Sequence, residues 1–129
     1  MPARLLHTAP VILVRDVVAS VAYWRDKVGF ECDRIYGEPP SFAMPSRDGV
    51  TIMIVGTPSG VEPPLPNWRV VDKTNQAYVW VDDANALYEE LQQSCAIIDY
   101  TIYDTPWGTR EFGIQDLDDH DITFGQVLT

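Results

Sequence analysis

The spacing of hydrophobic residues changes from strand-like to helix-like early in the chain. The apolar run VILV, which starts at Val11, is typical of a β-strand. After Asp16, a residue type common at helix N-caps, apolar residues recur at the spacing of an amphipathic helix. These residues are Val17, Val21, Trp24 and Val28. Gly29 follows where helices often end, so the pattern predicts a strand, a helix and a return into a strand.

The same pattern returns 67 residues later in YVWVDDANALYEELQQSCAII. A predicted strand ends at Val81 and is followed by Asp82 and Asp83, of which Asp83 corresponds to Asp16. The second helical stripe consists of Ala84, Leu87, Tyr88 and Leu91. The repeat indicates that the chain contains two copies of one structural unit.

Each copy ends in a predicted turn and strand. RDGVTIMIV contains Asp48-Gly49, a strong hairpin signal, and DDHDITFG is its counterpart, with Asp118 at the position of Asp48. The chain is therefore predicted to be one α+β domain, residues 1–129, made of two tandem β-α-β-β-β modules. We place the modules at about residues 5–56 and 76–129, and we expect them to form a curved mixed sheet around a cavity.

The segment between the modules, about residues 57–75, is rich in proline. Four of the ten prolines fall within residues 58–66. Proline lacks the backbone N–H that regular helices and central strands require, so we expect a linker or a lid here.

Charge and composition restrict the possible partners. The formal net charge is −10, and residues 76–129 contain eleven acidic residues and one basic residue, Arg110. Such a field repels phosphate backbones and anionic membranes and attracts cations, so we expect neither a nucleic-acid nor a membrane partner. The acidity favours either a cationic ligand or simple solubility. The start lacks a secretory signal, and we expect a cytoplasmic protein with two reduced thiols, Cys32 and Cys95.

Three stretches, in this order and spacing, resemble the vicinal oxygen chelate superfamily of glyoxalase I, extradiol dioxygenases and bleomycin resistance proteins. They are VRDVVASVAYWRDKVGFE, YVWVDDANALYEEL and PWGTREFGIQDLDDHDITF, the last being most similar to the bleomycin-resistance branch. The sequence departs from the family in DLDDH, where Leu117 and Asp119 replace the usual Pro and Gly. The resemblance implies a homodimer, either domain-swapped or side by side, with pockets where two chains meet.

Metal-dependent members of this superfamily take one ligand from the first and one from the last strand of each module. The resemblance places these positions at Ala9, Met53, Gln76 and Thr123. A divalent metal that acts as a Lewis acid needs imidazoles and carboxylates, which these residues do not supply. We therefore predict no metal and no cofactor; His7 would become a ligand only through a shift in strand register.

Two other residues with possible chemistry lie near the end of the chain. His120 stands among three aspartates, but consecutive turn residues rarely converge on one ion, so we expect a solvated acidic turn. Arg110 is expected to form a structural ion pair with a carboxylate such as Glu111 or Asp116.

Aromatic residues provide most of the candidate binding groups. Period-two alternation places Gln76, Tyr78 and Trp80 on one face of a strand, where they either line a cavity or fill the core. The predicted ligand-binding residues are Tyr36, Phe42, Trp68, Gln76, Tyr78, Trp80, Trp107 and Thr123.

The sequence therefore favours a metal-free binding protein of the glyoxalase/bleomycin resistance type. Such a protein would sequester a small molecule, for example a cationic aromatic antibiotic, without breaking a bond. The alternative is a metal-dependent lyase, isomerase or dioxygenase of the same superfamily. A third possibility is a structural or regulatory module whose cavity is filled by its own side chains.

Overall fold

The computed structural model describes residues 2–129 and contains, within them, two modules of similar architecture. The first module consists of β1 (Val11–Val14), α1 (Val17–Asp26), β2 (Ile35–Tyr36), β3 (Phe42–Ala43), β4 (Ser46–Arg47), β5 (Val50–Thr51) and β6 (Met53–Gly56). A short helix, α2 (Asn67–Val70), follows. The second module consists of β7 (Ala77–Trp80), α3 (Ala84–Gln93), β8 (Ile97–Asp104), β9 (Thr109–Gln115) and β10 (Asp121–Val127).

The two modules build four-stranded sheets with equivalent strand orders. The first sheet has the order β1-β6-β3-β2 and the second has the order β7-β10-β9-β8. In each sheet the first and last strands of the module pair in parallel, and the remaining neighbours are antiparallel. Strands β4 and β5 form a separate hairpin around the predicted Asp48-Gly49 turn. The α+β fold and the tandem modules are thus confirmed.

The register of the parallel pairs is also repeated. Val11 pairs with Met53 in the first sheet, and their sequence equivalents Tyr78 and Thr123 pair in the second. Because side chains alternate across a strand, equivalent residues of the two modules lie on equivalent sheet faces.

The two long helices begin in the same way. The Asp16 side chain accepts a hydrogen bond from the backbone N–H of Ala19 at 3.1 Å, and the Asp83 side chain accepts one from Ala86 at 3.0 Å. Each carboxylate satisfies an N–H group that has no partner within its helix. No helix within residues 2–129 is long and apolar enough to cross a membrane.

The core is one cluster of buried side chains from both sheets and both long helices. Its largest fully buried members include Trp24, Phe112, Ile12, Ile54, Leu91 and Ile122. Polar contacts also join the modules: the Tyr23 hydroxyl donates to the Gln115 carbonyl at 2.5 Å, and Arg47 forms two hydrogen bonds with Glu90 at 2.7 and 2.9 Å. Each sheet therefore has one face in the shared core and one face directed away from it.

The proline-rich part of the linker forms neither helix nor strand, as predicted. The sequence did not indicate α2, which begins directly after Pro66. This helix has four residues and no buried side chain, so it leaves no hydrophobic stripe in the sequence.

Candidate functional site

A cavity of about 760 Å³ opens on the face of the second sheet that is directed away from the core. Its volume lies within the range of about 300–1,000 Å³ that is usual for small-molecule sites. The aromatic side chains that line it are Trp68, Tyr78, Tyr100, Tyr103 and Trp107. The lining residues come from the linker and the second module only.

Strand alternation determines which side chains reach the cavity. On β9 and β10, Phe112 and Phe124 are buried in the core, whereas Glu111 and Thr123 line the cavity on the opposite face. The alternation that directs hydrophobic side chains into the core thus also directs polar side chains to the floor of the cavity.

Two glycines allow tyrosine rings to lie close against the sheet. A Cβ atom at Gly113 would lie 2.2 Å from the Tyr100 ring, and one at Gly125 would lie 1.8 Å from the Tyr78 hydroxyl. Any larger residue at either position would displace the ring, so the cavity floor depends on these glycines.

Glu111 is the central polar group of the floor and is only 6% exposed. Its carboxylate accepts hydrogen bonds from the hydroxyls of Tyr78 at 2.7 Å, Thr109 at 3.2 Å and Tyr103 at 3.4 Å. The pKa of Tyr78 is raised to about 12, mainly by burial and secondly by the hydrogen bond to Glu111. Tyr78 therefore keeps its proton at neutral pH and acts as a donor to the carboxylate.

Thr123, the residue at one of the four family ligand positions, is 1% exposed and bonded within the site. Its Oγ1 lies 2.8 Å from the Tyr100 hydroxyl. Burial is the main cause that raises the pKa of Tyr100 above its ordinary value. The pair forms a neutral hydrogen-bonded contact next to Glu111.

The lining is acidic overall. It contains Asp72, Asp99, Glu111 and Asp121 against one basic residue, Lys73. The pKa of Asp121 is raised to about 6, mainly by burial and also by the neighbouring Asp99 carboxylate, while a hydrogen bond from Gln115 opposes the shift. Negative charge and aromatic surface therefore occur together in this cavity.

Four of the predicted binding residues are brought together here: Trp68, Tyr78, Trp107 and Thr123. Trp107 is 70% exposed at the rim. The indole N–H of Trp68 donates to the Asp119 carbonyl at 2.6 Å, and the Arg69 guanidinium lies 4.8 Å from the centre of the Trp68 ring. The linker is thereby attached to the turn at the edge of the cavity.

The other four predicted residues do not line this cavity. Trp80 is 62% exposed and packs against Tyr78, with 4.6 Å between ring centres, beside a smaller cleft of about 430 Å³ between the modules. The Gln76 side chain accepts a hydrogen bond from the Asn67 backbone N–H at 3.0 Å. Tyr36 and Phe42 stack on each other at 6.0 Å, on the first sheet.

The cavity residues that were not predicted as binding residues include Tyr100, Tyr103 and Glu111. Counting in steps of two from buried Phe112 and Ile114 places Glu111 on the face away from the core. That signal was present, but Glu111 was interpreted only as a possible partner of Arg110. The positions of Tyr100 and Tyr103 depend on two register shifts in the pairing of β8 with β9, which a strict alternation does not predict.

The positions that carry metal ligands elsewhere in the superfamily do not offer a suitable donor set. Met53 lies next to the end of the N-terminal segment, where its N–H donates to the Pro10 carbonyl at 2.9 Å, and Ala9 has no donor atom in its side chain. Gln76 and Thr123 are neutral and already hydrogen-bonded. These residues do not fit a divalent metal, which would need carboxylates or imidazoles. Among residues 2–129, no group of three or more His, Cys, Asp or Glu side chains is arranged to hold a metal ion.

The closing turn is not the solvated acidic turn that was expected. His120 is 4% exposed and Asp116 is 1% exposed, with 2.8 Å between the ring Nδ1 and a carboxylate oxygen. The other Asp116 oxygen accepts hydrogen bonds from the backbone N–H groups of Asp118 and His120. Asp116 thus satisfies the polar groups of the turn internally, and Asp116, Asp118 and His120 are buried while Leu117 and Asp119 remain exposed.

The ion pair of Arg110 differs from the sequence prediction in its partner. Arg110 does form an ion pair, but with Asp104, at 2.7 and 3.1 Å. Glu111 is unavailable to it because consecutive strand residues point to opposite faces. Asp119, which replaces the usual family glycine, adopts a φ of 66°, and its equivalent in the first module, Gly49, has a φ of 82°.

Comparison with known proteins shows which family the chain resembles. A family model described as Glyoxalase/Bleomycin resistance protein/Dioxygenase superfamily matches residues 4–124. Among solved structures, a glyoxalase-related enzyme from Clostridium phytofermentans has a TM-score of 0.76 at 15% identity, with 98% of each chain covered. The bleomycin-binding protein from Streptomyces verticillus, solved with copper(II)-bleomycin, has a TM-score of 0.68 at 26% identity, with 99% of each chain covered.

A third solved structure, a glyoxalase/bleomycin resistance protein/dioxygenase from Alicyclobacillus acidocaldarius, has a TM-score of 0.74 at 13% identity, with 95% of this chain and 91% of that chain covered. A search of curated proteins found no match. The family model covers nearly the whole sequence, and the duplicated modules have the matching fold. The chain therefore belongs to the Glyoxalase/Bleomycin resistance protein/Dioxygenase superfamily.

Proposed function

We propose that the protein is a metal-free binding protein that sequesters a small aromatic cation in the cavity of the second sheet. The observation that carries the proposal is the combination of five aromatic side chains with an acidic lining in one cavity of suitable size. Aromatic faces attract both planar apolar groups and cations, and the carboxylates favour a positive ligand. Binding alone would remove the ligand from solution, as expected for an antibiotic-resistance role.

The donor chemistry supports binding rather than metal-dependent catalysis. Ala9 and Met53 offer no oxygen or nitrogen ligand in their side chains, and Thr123 is bonded to Tyr100. The solved bleomycin-binding relative, at 26% identity, supports the choice of a resistance-type ligand. The acidic net charge of −10 weighs against a nucleic-acid partner.

The functional form is proposed to be a homodimer. The first sheet exposes apolar side chains on the face away from the core, including Val11 at 57% and Tyr36 at 53%. A second copy of the chain would cover this surface. Tyr36 and Phe42 would then become binding residues if the first sheet of one copy faces the second sheet of the other.

The proposal predicts that Trp107→Ala and Tyr78→Ala each weaken ligand binding by about 1–3 kcal/mol, because each removes a stacking surface. Copper(II)-bleomycin is the first compound to titrate, followed by other cationic aromatic antibiotics, with tryptophan fluorescence or calorimetry as the measurement. Val18→Ala serves as a control because it changes an exposed apolar residue on α1, outside the cavity. Protein treated with EDTA and then freed of the chelator should bind equally well. Unchanged affinity in both cavity variants would refute the proposal.

A further inference from the structure

Glu111 is a buried acid without a basic partner in the part of the chain that the structure describes. None of the ion pairs within residues 2–129 includes it. Lys73, the basic residue of the lining, is exposed and forms none of these ion pairs. Burying a carboxylate without a cation is costly, and hydroxyl donors compensate only in part.

The hydrogen bonds of Glu111 leave one of its carboxylate oxygens able to accept a further hydrogen bond. Oε2 accepts from the Tyr78 and Thr109 hydroxyls at 2.7 and 3.2 Å, whereas Oε1 accepts only from Tyr103 at 3.4 Å. A carboxylate oxygen can accept about two hydrogen bonds. Oε1 therefore retains capacity for a donor, and Glu111 lines the cavity.

Aromatic groups surround this acceptor. Tyr78, Tyr100 and Tyr103 line the same cavity, and Trp107 stands at its rim. Their π-faces favour a cation but offer it no charge-assisted hydrogen bond. Glu111 supplies that bond, and a carboxylate can accept it only from a group that carries an N–H or O–H.

We infer that Glu111 is the specificity-determining residue of the cavity and that it selects an organic cation with N–H donors, a protonated amine or an amidinium. The inference rests on the proposed function and narrows the ligand class. A quaternary ammonium has the same charge but cannot donate a hydrogen bond, and a neutral alcohol can donate one but has no charge. Both should bind more weakly than the amine.

Three probes with the same ring test this in the wild-type protein: naphthylmethylamine, naphthylmethanol and naphthylmethyl-trimethylammonium. Calorimetric titration at neutral pH should give an affinity for the protonated amine about tenfold above that for either other probe, as expected for one charge-assisted hydrogen bond. Glu111→Gln should remove this preference. Glu89→Gln makes the same change of charge at an exposed residue outside the cavity and should retain it.

The outcomes separate this inference from the proposed function. Equal affinity for the three probes in the wild-type protein, or an amine preference that persists in Glu111→Gln, would overturn the role of Glu111 while leaving an aromatic binding site. Failure of all three probes to bind would overturn both. Should Glu111→Gln not fold, the order of affinities in the wild-type protein decides the question by itself.

Discussion

At the scale of single residues, Gly125 determines where the Tyr78 ring lies. Because an added Cβ would come within 1.8 Å of the Tyr78 hydroxyl, Gly125→Ala should displace the ring and break its hydrogen bond to Glu111. We expect a loss of about 1–3 kcal/mol in the free energy of unfolding, measured by urea denaturation. In a Tyr78→Ala background, Gly125→Ala should lower the free energy of unfolding much less, because the ring is absent. An equal loss in the wild-type and Tyr78→Ala backgrounds would contradict this explanation.

Asp121 should make stability depend on pH. Its pKa is raised by burial to about 6 in the folded protein, so the folded state binds the proton more tightly than the unfolded chain, whose pKa is about 3.9. The resulting stabilisation is present in full below the unfolded pKa and is lost as pH rises through about 6. Asp121→Asn should therefore flatten the pH dependence of the free energy of unfolding between about pH 4 and 6 and increase stability at neutral pH by about 1–2 kcal/mol.

The pKa of Asp104 is shifted in the opposite direction to that of Asp121, and its effect can be measured in the same series of urea denaturations. The hydrogen bond from Arg110 holds the pKa of the Asp104 carboxyl below its ordinary value. Its contribution is present above the unfolded pKa and is lost as pH falls, so Asp104→Asn should not stabilise the protein at neutral pH. An equal gain in the free energy of unfolding at neutral pH in Asp121→Asn and Asp104→Asn would mean that the reduced net charge alone stabilises the protein.

At the scale of elements, the two N-caps should contribute similarly. Asp16→Ala and Asp83→Ala each remove one side-chain hydrogen bond to a helix N-terminus, and each should lower the free energy of unfolding by about 1 kcal/mol in urea denaturation. Asp82→Ala is the matched control, because this exposed neighbour of Asp83 makes no capping bond in the structure and should change stability by less than about 0.5 kcal/mol. A comparable loss of stability in Asp82→Ala would mean that the removed negative charge, and not the capping hydrogen bond, causes the effect.

The sequence predicts these elements well where periodicity is long and caps are strong. Helices α1 and α3, strands β1, β7 and β8 and the Asp48-Gly49 hairpin follow from local patterns. The four-residue helix α2 does not, because one exposed turn is too short to show a helical period. Trp68, Tyr78, Trp107 and Thr123 were predicted as binding residues and line the cavity, whereas the role of Glu111 was missed because it depends on the hydroxyls of Tyr78 and Tyr103 on other strands.

At the scale of the whole molecule, the exposed apolar face of the first sheet predicts self-association. Val11→Asp places a charge on this face and should shift the protein from dimer to monomer in sedimentation experiments. Val18→Asp is the control, since Val18 is similarly exposed, at 60%, but lies on α1. A monomeric wild-type protein, or an equal effect of both substitutions, would refute the proposed dimer.

Duplication has produced two sheets with the same strand order and unlike outer faces. The second presents Tyr78, Glu111 and Thr123, and the first presents Val11 and Tyr36. Each face is built by residues that alternate with those of the shared core, so substitutions on one face leave the core packing in place. The cavity residues of one module can therefore diverge in evolution, and ligand preference can change, without redesign of the other module.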